Sequence, residues 1–303
     1  MKNFNQIYQK IYEQATADNI EEKRKEYLKQ SNKTKLKALI IGGTICIIFA
    51  ILKLFVLLPF AIIITFFSLF LSGSSSHNSY KKEYKSKIIS SLVTNYDEQL
   101  YFNGDLQIPR IIYNAAEFEG YDNFYSNDYI HGKIDGIIPI QLGDIRTENE
   151  HTDSDGNTTY TTVFRGLFSE ATLSKDLFNI IKIRSDKGKL AKLFSGKEQV
   201  EMDSQEFEKY FDVFSSDKIL AVRILTSDIM NYMIDFKKDN KVNFEITLKN
   251  NHMYIRIHCD DMFEGSMSKN AIDFDTLHKY YKFLDFMCEL NKKIYNVIKE
   301  KDI

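Results

Sequence analysis

Apolar residues fill one continuous stretch of the chain, Leu36–Leu71. Beyond its second position, Lys53 is the only charged residue in this stretch, which is otherwise mainly Ile, Leu, Phe, Val and Ala. As one helix it would be about 54 Å long, whereas the hydrocarbon core of a bilayer is about 30 Å thick. The length therefore predicts a transmembrane hairpin of two helices, Leu36–Leu52 and Pro59–Leu71, with a turn over Lys53–Pro59, where the proline ring disfavours helix.

Lysines flank the apolar stretch on both sides, and such residues favour the cytoplasmic side of a membrane. These are Lys29, Lys33, Lys35 and Lys37 before the stretch, and Lys81, Lys82, Lys85 and Lys87 after it. Lys53 can extend to the opposite interface. We therefore expect a multi-pass protein of the cell inner (plasma) membrane with both termini in the cytoplasm. A single span with the C-terminal part outside, or a re-entrant wedge, remains an alternative.

Helical periodicity marks the segments on either side of the hairpin. Phe4, Ile7 and Ile11 recur at helical spacing, which predicts a helix over Asn3–Lys29, and a second amphipathic helix is predicted over Lys85–Phe102. The serine-rich run Ser72–Ser79 has the composition of a flexible linker. These patterns predict an N-terminal cytosolic helix over residues 1–35, the hairpin over 36–72, a linker over 73–79 and a cytosolic domain over 80–303.

Alternating apolar and polar residues then predict strands. Three runs are rich in β-branched and aromatic residues, Asp128–Ile134, Ile137–Glu148 and Thr158–Leu173. Asp155-Gly156 lies between the last two and is typical of a hairpin turn. A short strand over Ile180–Arg184 and a turn over Ser185–Gly188 follow.

The last third of the chain mixes helices with one more hairpin. Helices are predicted over Ser204–Tyr210, Asp217–Leu225, Ser227–Lys238 and Phe274–Lys299, a strand over Phe211–Phe214, and a hairpin pairs Val242–Leu248 with His252–Cys259. Because helices and hairpins segregate along the chain, the fold class is α+β, an antiparallel sheet packed with helices and closed by a long C-terminal helix.

Composition and motifs argue against several functions but do not identify an activity. The net charge is −2, and no basic cluster lies away from the membrane flanks, so nucleic acid is not an expected partner. The three cysteines show no CxxC spacing, and no cleavable signal peptide precedes the apolar stretch. No phosphate loop, dinucleotide fingerprint, GxSxG or HExxH occurs, so no cofactor is expected and an enzyme is disfavoured without being excluded.

Three polar residues in apolar surroundings are candidates for binding an anionic ligand: Arg165, Asp217 and Arg223. Each also has a structural interpretation. Arg165 can form an ion pair with a carboxylate such as Asp144. Asp217 can cap a helix and form a partly buried ion pair with Arg223.

A metal site is not expected, although His252 and His258 fall on one face of a predicted strand. With Asp260 or Asp261 they form an alternative zinc set. The alternating Asp153 and Asp155 lack the glycine and glutamate positions of a calcium loop, so a hairpin turn is the better interpretation.

Several short runs resemble one family. They are Thr162–Phe168, Glu206–Asp217, Ala221–Thr226, His252–Ile257 and Met262–Glu264. Together they resemble a bacterial membrane family catalogued as domain of unknown function thirty-one thirty-seven, and the similarity extends from about Tyr80 to the C-terminus. The resemblance implies an N-terminal helix, a basic flank, a membrane hairpin and an α+β domain, and it brings no reaction, cofactor or catalytic residue.

Three functions follow from these patterns. We expect an integral membrane protein in contact with the lipid bilayer, whose cytosolic domain is a non-catalytic interaction or scaffold module with a protein partner. The alternatives are a sensor or binder of an anionic small ligand or lipid head group, and an enzyme acting at the membrane surface.

Overall fold

The computed structural model describes residues 3–185 and 199–301. It confirms the α+β class, with two apolar N-terminal helices, an antiparallel sheet and a long C-terminal helix. The predicted turn over Ser185–Gly188 lies, beyond its first residue, outside the described residues. The chain divides into two compact units. One contains Met1–Ser91 with Glu264–Leu277, and the other contains Leu92–Phe263 with His278–Ile303.

Helices build the N-terminal part of the chain. They are α1 (Phe4–Ala17), α2 (Ile20–Ile51), a 3-10 turn (Phe55–Leu57), α3 (Leu58–Leu71), α4 (Ser74–Tyr84), a π-helical turn (Lys85–Ile89) and α5 (Ser90–Tyr96). The single helix predicted over Asn3–Lys29 is wrong. Asn19 interrupts it with a φ of 55°, a left-handed conformation that asparagine tolerates better than most residues. After this break, α2 runs without interruption into the apolar stretch.

The predicted turn between two apolar helices is present. Helix α2 ends at Ile51, Lys53 adopts a φ of 57°, and Pro59 occupies the first turn of α3. The two helices pack against each other closely at Gly42, where an added Cβ would lie 2.2 Å from the Thr65 side chain. A hairpin of two apolar helices is therefore part of the fold.

Helix α4 occupies the serine-rich run that composition predicts to be a linker. Tyr80 and Tyr84 on this helix are buried. Nearby, Lys81 and Lys85 form ion pairs with Glu264, at 2.8 and 2.6 Å. Tertiary contacts of the last turns thus stabilise a helix whose first turns have weak propensity.

An antiparallel sheet, with nine strands in the described part of the chain, forms the centre of the second unit. Its strands are β1 (Leu100–Asn103), β2 (Asn123–Ile134), β3 (Ile138–Thr152), β4 (Thr158–Thr172), β5 (Ile181–Ser185), β6 (Gln199–Val200), β7 (Phe211–Ser215), β8 (Phe244–Lys249) and β9 (His252–His258). Their spatial order is β1-β2-β3-β4-β9-β8-β5-β7-β6. The strands and hairpins predicted from residue 128 onward are confirmed.

The helix predicted to continue to Phe102 is wrong at its end. It stops at Tyr96, and β1 follows, pairing Leu100 with Gly132 of β2. Gly132 has a φ of 147°, and a Cβ there would lie 1.9 Å from the Gln99 carbonyl oxygen. Pairing with a strand more than thirty positions away, rather than local periodicity, determines where this helix stops.

Helices cover the sheet on both faces. Among the described residues, the remaining helices are α6 (Arg110–Ala115), α7 (Gln205–Glu208), α8 (Lys218–Ile224), α9 (Ser227–Asn240) and α10 (Phe274–Glu300). On the first face, Phe236 of α9 stacks on Phe286 of α10 at 3.6 Å between ring centroids, and both contact Phe244 of β8. On the second face, Tyr113 of α6 packs on Phe164 and Phe168 of β4.

Candidate functional site

A cavity of about 640 Å³ opens on the second face of the sheet, between α6 and strands β2, β3, β4 and β9. This volume lies within the range of about 300–1,000 Å³ that small-ligand sites occupy. One wall is apolar and comes from α6, where Ile111 is largely exposed and Ile112 is half-buried. The floor is polar and comes from the strands.

Strand register places the polar floor residues in one row. His131 pairs with Gln141, Gln141 with Glu170, and Glu170 with Tyr254, so their side chains leave the same face of four neighbouring strands. His252 lies two residues before Tyr254 on β9 and therefore shares that face. The antiparallel pairing thus gathers five polar or aromatic side chains that are far apart in sequence.

Hydrogen bonds link the floor into a chain that converges on Glu170, which is 7 % exposed. The Tyr129 hydroxyl donates to Gln141 Oε1 at 2.7 Å, and Gln141 Nε2 donates to Glu170 Oε2 at 3.3 Å. The second carboxylate oxygen, Oε1, contacts His252 Nδ1 at 2.5 Å. A carboxylate only accepts, so Nδ1 of His252 carries the proton that it donates to Glu170.

Burial and the Glu170 carboxylate fix the protonation of two tyrosines at the cavity. Burial, and to a smaller extent the negative charge of Glu170, raise the pKa of Tyr254 to about 12. The pKa of Tyr129 is raised for the same two reasons, burial first. Both phenols therefore keep their protons at neutral pH.

Several of the floor side chains are aromatic rings that stack in pairs. Tyr129 stacks on His131 with 5.0 Å between ring centroids. His252 stacks on Tyr254 at 6.0 Å. Apolar surface with a few fixed polar groups is the composition typical of a binding site for a small molecule.

A buried ion pair holds the α6 region against the sheet beside the cavity. Arg256 and Glu245 are each 1 % exposed, and Arg256 Nη2 lies 2.8 Å from Glu245 Oε2. Arg256 also pairs with Glu119, which follows α6, and its guanidinium lies 4.1 Å from the centre of the Phe118 ring. This cluster fixes the segment that carries the apolar wall.

None of the three candidate anion-binding residues lines the cavity. Arg165 is exposed and forms a bidentate pair with Asp261 at 2.9 and 3.0 Å, rather than with Asp144. Asp217 caps α8 by accepting from the Leu220 amide, 2.9 Å away. Arg223 donates to the Lys301 carbonyl at 2.9 Å, instead of forming the predicted ion pair with Asp217.

The two candidate metal-ligating histidines have different surroundings. His252 lines the cavity and contacts Glu170, whereas the His258 ring lies against Phe164 and its Nε2 is 3.8 Å from Glu245 Oε1. Among residues 3–185 and 199–301, no group of three or more His, Cys, Asp or Glu residues could hold a metal ion.

The lysines predicted to flank the membrane lie outside the sheet. Lys35 and Lys37 are exposed on α2, Lys53 is exposed in the hairpin turn, and Lys82 is exposed on α4. Lys81 is half-buried in its ion pair with Glu264.

Sequence reasoning missed the central residues of the floor, Tyr129, Gln141 and Glu170. The alternation along His252–His258 shows that one face of this strand is polar, but a single strand cannot show whether such a face is solvated or covered. Only the register across four strands brings Gln141 and Glu170 next to His252.

Comparisons with known proteins support the resemblance stated above. The family model described as Protein of unknown function (DUF3137) matches residues 162–295. No curated protein matches this chain. A solved structure with some similarity is the mycobacterial trehalose monomycolate transport factor A, TtfA, at 8 % identity and a TM-score of 0.32, covering 67 % of this chain and 92 % of that one. Similarity at this score supports no conclusion about fold or function.

Two helical stretches, Ile20–Ile51 and Phe55–Tyr96, are long and apolar enough to cross a membrane. Their apolar side chains are largely exposed, including Val56, Phe66 and Phe70. Such a surface indicates membrane association.

Proposed function

We propose that this DUF3137-related chain is a membrane-attached protein that binds a small ligand in the cavity between α6 and strands β2, β3, β4 and β9. The observation that carries the proposal is the hydrogen-bonded floor. A buried carboxylate, Glu170, receives two donors within a cavity of suitable volume, and a fixed histidine, His252, lies at its side. Polar groups held in place on an apolar background are what distinguishes a binding site from a surface groove.

Filling the cavity tests this proposal. Thr172 of β4 lines the cavity, and Thr159 of the same strand is exposed at its other end. We expect thermal stabilisation of the full chain in lipid nanodiscs by at least one member of a panel of neutral, anionic and cationic small molecules. Thr172→Phe should abolish the stabilisation, whereas Thr159→Phe should preserve it. No stabilisation by any class, or equal stabilisation of both variants, would contradict ligand binding in this cavity.

Attachment to the membrane through α2 and α3 is part of the proposal. The apolar exposure of both helices supports it, and the lysines on both flanks favour placing the two polar parts of the chain on the cytoplasmic side. In cells, a cysteine placed at Asp155 or at Glu13 should resist a membrane-impermeant maleimide until the membrane is permeabilised. Labelling of Asp155→Cys in intact cells would place the sheet outside and refute this topology.

An interaction or scaffold role is the second candidate. The observation that favours it is the exposure of Ile219 on α8 and of Phe178, which are 75 % and 90 % exposed. Cross-linking in native membranes should then recover one recurrent partner, and recovery should fall with Ile219→Glu. Recovery that does not change with this substitution would argue against this surface.

A further inference from the structure

The direction of the hydrogen bonds in the cavity floor determines what chemistry a ligand must offer. Resting on the proposed function, we infer that the ligand is a neutral molecule with several hydroxyl groups and an attached apolar part.

Two floor residues have already used their protons within the protein. His252 donates through Nδ1 to Glu170, so in the neutral imidazole its Nε2 presents a lone pair. Tyr129 donates its hydroxyl proton to Gln141, so its oxygen also retains only acceptor capacity. A ligand approaching Tyr129, or His252 in its neutral form, must supply hydrogen-bond donors.

Other floor residues require an acceptor or adapt to either role. The Gln141 amide donates one N–H to Glu170 and has a second N–H. The hydroxyls of Tyr254 and Thr172, which also line the cavity, can donate or accept. A set of acceptors, one donor and two hydroxyls is matched by ligand hydroxyl groups, because each of them both donates and accepts.

Charge and hydrogen-bonding capacity together disfavour an anionic or a cationic ligand. A fully ionised anionic head group offers only acceptors, and it would lie beside the Glu170 carboxylate, which is 7 % exposed and therefore little screened by water. An ammonium ion would be attracted by the Glu170 carboxylate, but it offers only donors and cannot satisfy the second N–H of Gln141. The cation Lys133, which also lines the cavity, opposes it as well. A neutral polyol avoids both conflicts.

The second wall of the cavity specifies the apolar part. Ile111, Ile112 and Ala115 of α6 face the polar floor, and Ile111 is 77 % exposed. Covering such a side chain with an alkyl group removes apolar surface from water and therefore favours binding. The ligand thus places hydroxyls on the strands and an alkyl or ring surface on α6.

A matched series of probes tests the inference: hexyl β-glucoside, hexyl phosphate and hexylammonium share one tail and differ in the head. Calorimetric titration of the full chain in nanodiscs, with empty nanodiscs as reference, should show tightest binding for the glucoside. His252→Phe keeps the ring and removes both nitrogens, and Thr172→Val removes one hydroxyl. Each should weaken glucoside binding by about ten-fold, the effect of losing one hydrogen bond.

His151→Phe and Thr159→Val, on exposed parts of β3 and β4, are the controls and should leave binding unchanged. Suppose that hexyl phosphate or hexylammonium binds, that its binding is weakened by His252→Phe, and that the glucoside does not bind. The inferred ligand class is then wrong, whereas the proposal that the cavity binds a small ligand is supported. If none of the three probes binds, this inference is overturned, whereas the proposed function fails only if the wider panel also gives no stabilisation that Thr172→Phe abolishes. Glucoside binding that neither His252→Phe nor Thr172→Val weakens would place it elsewhere and overturn the inference.

Discussion

Arg256 carries a positive charge that is almost completely buried. Its guanidinium and the Glu245 carboxylate are each 1 % exposed and lie 2.8 Å apart. Such a pair gains little over an apolar pair, but removing one member leaves the other charged and buried. The same guanidinium bonds Glu119 beyond α6, so the stability of the cavity wall depends on it.

We therefore expect Arg256→Leu to lower the free energy of unfolding by about 3–5 kcal/mol. Arg165→Leu is the matched control, because Arg165 lies on the neighbouring strand β4 and its pair with Asp261 is exposed, and it should cost no more than about 1 kcal/mol. Urea denaturation followed by circular dichroism measures both. Equal losses of unfolding free energy for the two variants would show that breaking the buried pair costs no more than breaking the exposed one, contrary to this prediction.

Asp285 on α10 should make the folded protein less stable as pH rises, the opposite of the usual effect of an aspartate. Burial raises the pKa of this carboxyl, and the neighbouring Glu289 raises it further, although Tyr96 donates a hydrogen bond to it at 3.2 Å. A raised carboxyl pKa means that the folded chain binds the proton more tightly than the unfolded chain. The contribution to stability is therefore complete below the unfolded pKa of 3.8 and is lost as pH rises through the folded value.

Asp285→Asn should stabilise the protein at neutral pH, because the amide is neutral and keeps an oxygen that accepts from Tyr96. The gain should shrink as pH falls toward the pKa of an unfolded carboxyl. Thermal melts of both proteins, at intervals of about one pH unit from about pH 4 to about pH 8, measure how the difference in stability changes with pH. A variant that is less stable than the parent at pH 8 would contradict the sign.

At the scale of elements, two adjacent glycines in α2 have opposite surroundings. A Cβ at Gly42 would meet the Thr65 side chain of α3 at 2.2 Å, whereas a Cβ at Gly43 has no neighbour within 4 Å. Gly42→Leu should therefore separate α2 from α3, while Gly43→Leu should be tolerated. Thermal stability of the full chain in detergent, read by size-exclusion chromatography, should fall by several degrees for the first variant only. A similar fall for both would indicate a general effect of leucine in this helix.

Elements that depend on local pattern could be predicted from the sequence. The β3–β4 hairpin follows from alternation around Asp155-Gly156, and α8 follows from its cap Asp217, because both are determined by residues a few positions apart. Helix α4 and strand β1 could not, since each is stabilised by distant partners, Glu264 and Gly132. The cavity floor could not either, because it requires the correct register of four strands at once.

At the scale of the whole molecule, chain order and spatial organisation differ. The segment Glu264–Leu277 lies late in sequence but belongs to the same compact unit as the first ninety-one residues. Within that unit, Ala271 donates its amide to Glu21 at 2.9 Å, and Tyr8 donates to the Ile272 carbonyl at 2.9 Å. No periodicity in the sequence indicates a return of the chain at this point, because the segment contains neither a helix nor a strand before Phe274.

The shortness of α3 has a consequence for where such a protein would reside. With the 3-10 turn that precedes it, the apolar helix comprises 17 residues (3 in the turn and 14 in α3) and rises about 26 Å, less than the hydrocarbon depth of about 30 Å of an average bilayer. Hydrophobic mismatch of this kind costs a fraction of a kcal/mol per ångström and sorts proteins toward thinner lipid. In phase-separated vesicles the chain should partition into short-chain phosphatidylcholine domains, and extending α3 by one turn of leucines should reverse that preference.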